Sequence, residues 1–374
     1  MPEFFNTKEH KLFKFSYKRL IILILVAIAI YFLVPKLVGA KEGIKLLQKV
    51  KPIYLFFCLV AEFISYVGAA FLVKLVLKRL KYNLRFLDTI RMGTIGAFAI
   101  HFFPVSGAGE AAINYYILRA KKVSQGDALF IFIIRGIFFY TAFFLLFALG
   151  SIIIPTHPHL SIDQKIVGII LFAIIISFTL WIRYLYRHKY NFWSVGYKFL
   201  GMIKWLSKKI LKKRVFSGEV VEIIVSDIYN GFHIFSKGKM DWFPATGWAM
   251  VYWLADMSCL FFSLLAFGYL VNPGVLIFAY CIATLAGLLS FIPGGVGVLD
   301  GTLSLGLIGL GVPTGLALFA VLLYRFFSFW LLMPVGFLSF LTLRSEIAND
   351  KRNSRLNVGI PTTYCNRKEG SGKK

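Results

Sequence analysis

Two charged pairs interrupt the most apolar parts of this sequence, and both pairs have the same spacing. Glu110 and Arg135 are 25 residues apart, and so are Asp300 and Arg325. An ionised side chain is costly in hydrocarbon, so an arginine there normally faces a partner or a polar cavity. A guanidinium group also offers a planar fork of donors that matches two phosphate oxygens. The spacing therefore indicates either two buried ion pairs that clamp the fold or a site for a phosphate-bearing ligand.

Each acid lies at a glycine-rich break in an apolar region. The first break reads FFPVSGAGE (102–110) and the second FIPGGVGVLDG (291–301). Successive glycine N–H groups can form an anion-binding concavity, and a helix that starts there adds its positive end. Because a carboxylate in the first turn of a helix is also a good cap, capping is a competing role for both acids. The glycines predicted to bind substrate are Gly107, Gly109, Gly294, Gly295 and Gly297.

Two more acids, Glu62 and Asp256, lie inside the apolar segments that precede the breaks. We expect them to pair with the arginines, to contact a cationic group or to carry a proton. They are not at equivalent positions, since the residue 190 positions after Glu62 is Tyr252.

The composition is that of a polytopic membrane protein. Of 374 residues, 58% are hydrophobic, and the mean hydropathy is +0.74, well above the apolar share of a soluble domain. The net charge of +25 lies between and beside the apolar spans, as in cytoplasmic loops, and we expect no nucleic-acid partner. The four cysteines form no CxxC pair, and no catalytic or nucleotide-binding motif is present. We therefore expect no enzyme activity, no metal and no cofactor.

The predicted fold is an all-α polytopic membrane protein with six full transmembrane helices and two re-entrant helical hairpins. The first half, 20–187, follows a basic cytoplasmic arm (1–19), and a basic amphipathic linker (188–241) leads to the second half, 242–344. A disordered tail is expected over 345–374. The spans are predicted at 20–37, 53–77, 127–153, 165–183, 242–271 and 314–342, and the hairpins at 86–121 and 275–311.

The two halves match at an offset of 190 residues. This offset aligns Gly107 with Gly297 and Ser124 with Thr314, besides the two acid–arginine pairs. Ser124 and Thr314 are predicted N-caps, and each arginine lies eleven residues further on, about 16 Å along a helix. Loop charge places the two caps on opposite faces of the membrane, so both arginines reach the middle of the bilayer. This pattern predicts an inverted-topology repeat.

Basic segments at 74–85 and 183–214 and in the N-terminal arm indicate cytoplasmic loops and cytoplasmic N- and C-termini. The loop 36–52 is the exception, since it is external in this arrangement yet holds five lysines. We expect a multi-pass protein of the plasma membrane.

Both breaks, with their flanking sequences, resemble one known family. FIPGGVGVLDG with the later GVP and LLYRFFSFW, and PVSGAGEAAINYYILRAKKVSQGDALFIFIIRGI earlier, are similar to the lysylphosphatidylglycerol synthase transmembrane region family, or UPF0104, over roughly residues 15 to 345. The resemblance implies a flippase-like domain that moves lipids between leaflets. It also implies that a chain without the synthase domain does not make lysylphosphatidylglycerol. Asp300 stands where many relatives have glutamate.

The expected function is therefore a flippase-like transporter of a phospholipid, an aminoacylated phospholipid or a polyprenyl-phosphate-linked lipid. A secondary transporter of a small anionic solute and a non-catalytic factor that recruits a lipid-modifying enzyme are the alternatives. The expected partners are an anionic membrane lipid and lipid-modifying or glycosyltransferase enzymes, and a homo-oligomer is compatible with the sequence.

Overall fold

A computed structural model describes four stretches of the chain: 50–102, 108–153, 242–290 and 292–358. It also describes isolated positions at 48, 173, 177, 194, 198, 201, 226 and 228–231. The predicted arm 1–19, the span 20–37, nearly all of the span 165–183 and most of the 188–241 linker lie outside the described residues.

Every regular element in the four described stretches is helical. We number the helices in chain order as α1 (Pro52–Arg79), α2 (Phe86–Phe102), α3 (Ala108–Ala120), α4 (Gln125–Ile153), α5 (Trp242–Ala266), α6 (Pro273–Leu289), α7 (Val298–Gly309), α8 (Thr314–Arg325) and α9 (Leu332–Val358). A short 3₁₀ turn (Pro293–Gly295) precedes α7, and a π-helical turn (Phe326–Trp330) joins α8 to α9.

Four of these helical stretches are long and apolar enough to cross a membrane. They are Pro52–Arg79, Gln125–Ser151, Trp242–Ala266 and Thr314–Ile347, and they match the four predicted spans that fall within the described residues. The broken regions are also seen as helix, break and helix: α2 with α3, and α6 with α7. The chain is thus an all-helical multi-pass membrane protein.

The starts of the helices follow from local capping, with one prediction confirmed and one wrong. Ser124 Oγ accepts a hydrogen bond from the N–H of Asp127 at 3.1 Å, so Ser124 caps α4 as predicted. Thr314 is not the cap of α8, because Pro313 occupies that position and Thr314 is already helical. Since a proline side chain accepts no hydrogen bond, α8 begins without a side-chain cap.

The order of the helices repeats along the chain with the offset seen in the sequence. Helix α5 begins 190 residues after α1, and α7 begins 190 residues after α3. The matched rare residues therefore correspond to matched structural elements.

Helices α1 and α5 pack together along most of their length and run antiparallel. Cys58, early in α1, contacts Ser263 and the carbonyl of Cys259 late in α5. Gly68, later in α1, lies beside Trp248 and Tyr252 early in α5. Equivalent helices of the two halves thus point in opposite directions at the centre of the molecule.

The two halves also exchange packing partners around this centre. Helix α2 packs against α9 of the second half, and α6 packs against α4 of the first half. One buried apolar cluster joins α6, α7 and α8 to the late part of α4, and the other joins α2, α3 and the early part of α4 to α9. Each broken hairpin is therefore covered by the last long helix of the opposite half.

The last helix extends further than the sequence indicated. We predicted that the span ends near 342 and that disorder begins at 345, but α9 continues to Val358. Residues 345–358 contain neither glycine nor proline, so nothing in them stops the helix. Glu346 also forms a 2.8 Å ion pair with Arg91 of α2, which ties this extension to the first half.

Replacing Gly68 by leucine is expected to destabilise the α1–α5 contact. A Cβ at position 68 would lie 3.0 Å from the Tyr252 nitrogen and 3.1 Å from the Trp248 carbonyl oxygen, and helix backbone cannot move aside easily. We expect a loss of about 1–3 kcal/mol, measured as a lower thermal unfolding temperature in detergent. The matched control is Gly247→Leu on α5, where a Cβ meets nothing within 4 Å. Equal effects at both positions would contradict this packing.

Candidate functional site

A cavity of about 320 Å³ lies where the two halves meet, and both halves line it. Of the predicted site residues, the following line the cavity: Glu62, Glu110, Arg135, Asp256, Gly294, Gly295 and Arg325. Asp300 and Gly297 stand behind this lining in contact with it, Gly109 is the second residue of α3, and Gly107 lies outside the described residues. The structure therefore brings most of the predicted set to one place.

Arg135, in the middle of α4, forms an ion pair with Glu110 in the first turn of α3. Its guanidinium carbon also lies 4.7 Å from the centre of the Phe139 ring, one turn further along α4. Gly96 of α2 leaves the room for this pair, because a Cβ there would lie 3.0 Å from the Glu110 side chain. The Arg135 Nε is buried and has no hydrogen-bond partner within the described residues.

Arg325, at the end of α8, has the equivalent arrangement. Its Nε lies 2.5 Å from Asp300 Oδ1, and its guanidinium carbon lies 4.7 Å from the centre of the Phe329 ring, again one turn further on. A terminal nitrogen also donates to the Gly294 carbonyl oxygen at 2.8 Å. Asp300 Oδ2 accepts the Gly297 N–H at 2.9 Å. Asp300 is thus both the helix cap and the ion-pair partner that the sequence offered as alternatives.

The glycine-rich turn after α6 has a backbone that strongly favours glycine. Gly294, Gly295 and Gly297 have φ values of 61°, 63° and 83°, in the region that side chains disfavour. The N–H of Gly295 donates to the Ile292 carbonyl, and that of Gly297 donates to Asp300. We expected these N–H groups to face an anion, but both are engaged internally, and the turn instead offers the Gly294 carbonyl to Arg325.

The remaining two acids meet across the α1–α5 contact. The carboxyl groups of Glu62 and Asp256 are close enough to share a hydrogen bond, and these residues are only 5% and 9% exposed. Neither pairs with an arginine at ion-pair distance within the described residues. Sequence analysis left several roles open for these acids, and the structure brings them to each other.

Two tyrosines at this contact were missed by the sequence analysis. Tyr280 of α6 donates a hydrogen bond to Asp256 Oδ2, and the Tyr324 hydroxyl lies 3.2 and 3.3 Å from the two Asp256 oxygens. Both tyrosines are buried and line the cavity. The available signal was the position of Tyr324, immediately before the intramembrane arginine.

The charges at the cavity do not balance. Four carboxyl groups and two guanidinium groups lie in or next to it, and each guanidinium already has its own carboxylate. The uncompensated groups are Glu62 and Asp256. The site can therefore present paired guanidinium groups to an anion and free carboxyl groups to a proton or a cation.

These features define a class: a polytopic helical membrane protein whose repeated halves enclose a charged internal cavity. Within that class, the chain belongs to the family described as lysylphosphatidylglycerol synthase TM region, whose model matches residues 20–336. The family predicted from the two glycine-rich breaks is thereby confirmed.

Curated relatives agree with this assignment. The chain is 24% identical over 337 residues to the UPF0104 membrane protein MJ1595 of Methanocaldococcus jannaschii, a match that covers 88% of this chain and 96% of the relative. It is 22% identical over 333 residues to a UPF0104 membrane protein of Methanothermobacter thermautotrophicus, covering 85% and 92%. A phosphatidylglycerol lysyltransferase of Staphylococcus haemolyticus is 45% identical over 74 residues, covering 20% of this chain and 9% of that protein.

Replacing Gly297 by alanine is expected to destabilise the second break. The residue has φ 83° and ψ −46°, a conformation that costs a side-chain-bearing residue about 1–3 kcal/mol. The matched control is Gly301→Ala, four residues later in α7, which has open space around its Cβ position and should gain up to about 1 kcal/mol. Thermal unfolding in detergent measures both. A Gly297→Ala protein as stable as the Gly301→Ala protein would contradict the described turn.

Proposed function

We propose that this protein moves phosphate-bearing lipids between the two leaflets of a membrane and carries out no covalent chemistry. The observation that supports this most directly is that Arg135 and Arg325, each with its own acid, face one cavity between the two halves. Membership of the lysylphosphatidylglycerol synthase TM region family agrees with a role that involves lipids.

An inverted-topology repeat with re-entrant hairpins is part of the proposal. The hairpin arms have 17 and 13 residues in the first half and 17 and 12 in the second, or about 26, 20, 26 and 18 Å. Each arm is shorter than the roughly 30 Å of a bilayer core. The antiparallel course of α1 and α5 supports opposite orientations of the two halves, and non-helical backbone at membrane depth is tolerated where it lines a cavity.

The proposed mechanism begins with a lipid headgroup that enters the cavity while its acyl chains stay in the hydrocarbon. Each arginine is already paired, so a phosphate must add to the pair or displace its carboxylate. Arg135 can accept a ligand without losing Glu110, because its buried Nε has no partner in the described structure. Displacing Asp300 from Arg325 would release the cap of α7, so binding at the second pair would act on the helix break itself.

The lipid class follows from the same groups. A phosphodiester carries the charge that both guanidinium groups recognise, and the free carboxyl groups allow a second, cationic group on the same headgroup. We therefore retain phospholipids, aminoacylated phospholipids and polyprenyl-phosphate-linked lipids as candidate substrates. A plasma-membrane location with both termini in the cytoplasm, and lipid-modifying or glycosyltransferase enzymes as partners, complete the proposal.

Leaflet exchange of labelled phospholipids in proteoliposomes tests the role of the first pair. We expect the double variant Arg135→Gln, Glu110→Gln to lose about tenfold to a hundredfold in exchange rate, since a hydrogen bond to a charged group contributes about 1.5–3 kcal/mol. Removing both charges together avoids leaving a lone buried carboxylate, which would destabilise the fold. Circular dichroism and size-exclusion chromatography establish that the variant is folded.

The matched control is Arg91→Gln, Glu346→Gln, which removes an ion pair that is partly exposed and outside the cavity. We expect this control to exchange lipid at the wild-type rate. If the cavity variant is folded and exchanges lipid as fast as the control, the pair is only a structural clamp. Uptake of a small anion without any lipid exchange in the wild type would favour a solute transporter instead.

A further inference from the structure

The contact between Glu62 and Asp256 is unusual because it places two carboxyl groups together in the interior of a membrane protein. Both side chains are more than nine-tenths buried and both line the cavity. The Glu62 Oε1 has no hydrogen-bond partner within the described part of the chain. A buried carboxyl oxygen without a partner, facing a cavity, indicates a ligand that the protein groups alone do not supply.

A proton is the smallest ligand that resolves this contact. Two ionised carboxylates in contact repel, whereas one proton between them converts the contact into a hydrogen bond. The two arginines do not substitute for the proton, because each is already paired with Glu110 or Asp300.

The groups around the two acids are neutral apart from one arginine. On the same two helices they are Cys58, Cys259, Tyr66 and Tyr252. From the helices packed against them come the tyrosines 280 and 324 and Arg325, while Arg135 and Glu110 act on the neighbouring Tyr252. The surroundings therefore supply about one compensating charge for two acids.

The hydrogen bonds assign the proton to one of the two residues. Asp256 is hydrogen-bonded by Tyr280 and Tyr324 and lies within electrostatic reach of Arg325. Hydroxyl donors and a nearby cation favour the ionised form of a carboxyl group. Glu62 has neither a tyrosine donor nor an arginine at contact distance in the described structure, so the charge belongs on Asp256 and the proton on Glu62.

The sequence produces this contact by exchanging two residue types between the halves. Helix α1 carries Glu62 followed four residues later by Tyr66, and α5 carries Tyr252 followed four residues later by Asp256. Because the two helices are antiparallel, residue 62 meets 256 and residue 66 lies near 252. Had both helices carried the acid first, each acid would have met a tyrosine. The mismatch of the two acids at the 190-residue offset is what brings them together.

We propose that Glu62 and Asp256 form a one-proton binding site at the α1–α5 crossing, with the proton on Glu62, and that this proton is the coupling ion of the transporter. The coupling role rests on the proposed lipid transport, whereas the proton site does not. When α1 and α5 separate and water reaches the contact, the proton passes from Glu62 to water, and the two carboxylates then repel. Binding of the proton and closure of the crossing are thus linked.

Infrared difference spectroscopy of the full-length protein in lipid nanodiscs tests the proton site directly. Near neutral pH we expect a carbonyl stretching band of a protonated, buried carboxyl group, which is lost in Glu62→Gln. The band should persist in Glu346→Gln, a control at an exposed glutamate outside the cavity. Absence of the band in the wild type overturns the proposal, and so does its persistence in a folded Glu62→Gln protein. Its persistence in Glu62→Gln together with its loss in Asp256→Asn would place the proton on the wrong residue.

Lipid exchange across proteoliposomes with an imposed pH difference tests the coupling. We expect the gradient to change the wild-type exchange rate and to have no effect on Glu62→Gln, whose amide imitates the protonated acid. A wild type that exchanges lipid at the same rate with and without the gradient overturns the coupling role. A wild type that exchanges no lipid, yet shows the infrared band, contradicts the proposed function and leaves the proton site standing.

Discussion

The structure depends on keeping charged side chains paired inside an apolar fold. Removing one partner of a buried ion pair typically costs about 3–5 kcal/mol, because the other charge is left without compensation. Here each pair joins a helix break to a long helix: Glu110 of α3 to Arg135 of α4, and Asp300 of α7 to α8. The breaks are thus held where the backbone itself cannot form a continuous helix, and the carboxylates that hold them also face or border the cavity.

The same plan is used twice but is completed differently in each half. Both arginines contact an aromatic ring one turn further on at 4.7 Å, although only the second is followed by a π-helical turn. Such turns are frequent at functional sites. Asp256 is hydrogen-bonded by two tyrosines, whereas Glu62 has none. The cavity is therefore symmetric in its framework and asymmetric in its chemistry, so that the two acids at its centre are not equivalent.

The sequence predicted the parts of the structure that stand out against an apolar background. Charged residues and glycine-rich breaks are rare in such a chain, and the two ion pairs, the four described spans and the Ser124 cap were found from them. The tyrosines were missed because a tyrosine in an apolar helix is ordinarily a packing residue. Thr314 failed as a cap because the residue before it is a proline. The length of α9 depends on Arg91, which is distant in sequence.

The meeting of Glu62 with Asp256 could not be predicted, since it depends on the direction in which two helices cross. A repeat read only by its offset sets Glu62 against Tyr252 and treats the acids as unmatched. Antiparallel packing reverses one helix, so residues that disagree in register become neighbours. The glycine N–H groups show a related difficulty, because their orientation is decided by the Asp300 cap and by Ile292 and not by composition.

The exchanged packing of the hairpins constrains how the molecule can move. Helix α2 lies against α9, and α6 lies against α4, so a rigid separation of the first half from the second would tear both contacts apart. A movement that preserves them groups α2 and α3 with α9 as one body, and α6 and α7 with α4 as the other. Each body then contains pieces from both ends of the chain, and the boundary between the bodies runs through the covalent turns from α3 to α4 and from α7 to α8. Alternation between two states would accordingly be a sliding of interlocked bodies, with those two turns as its hinges.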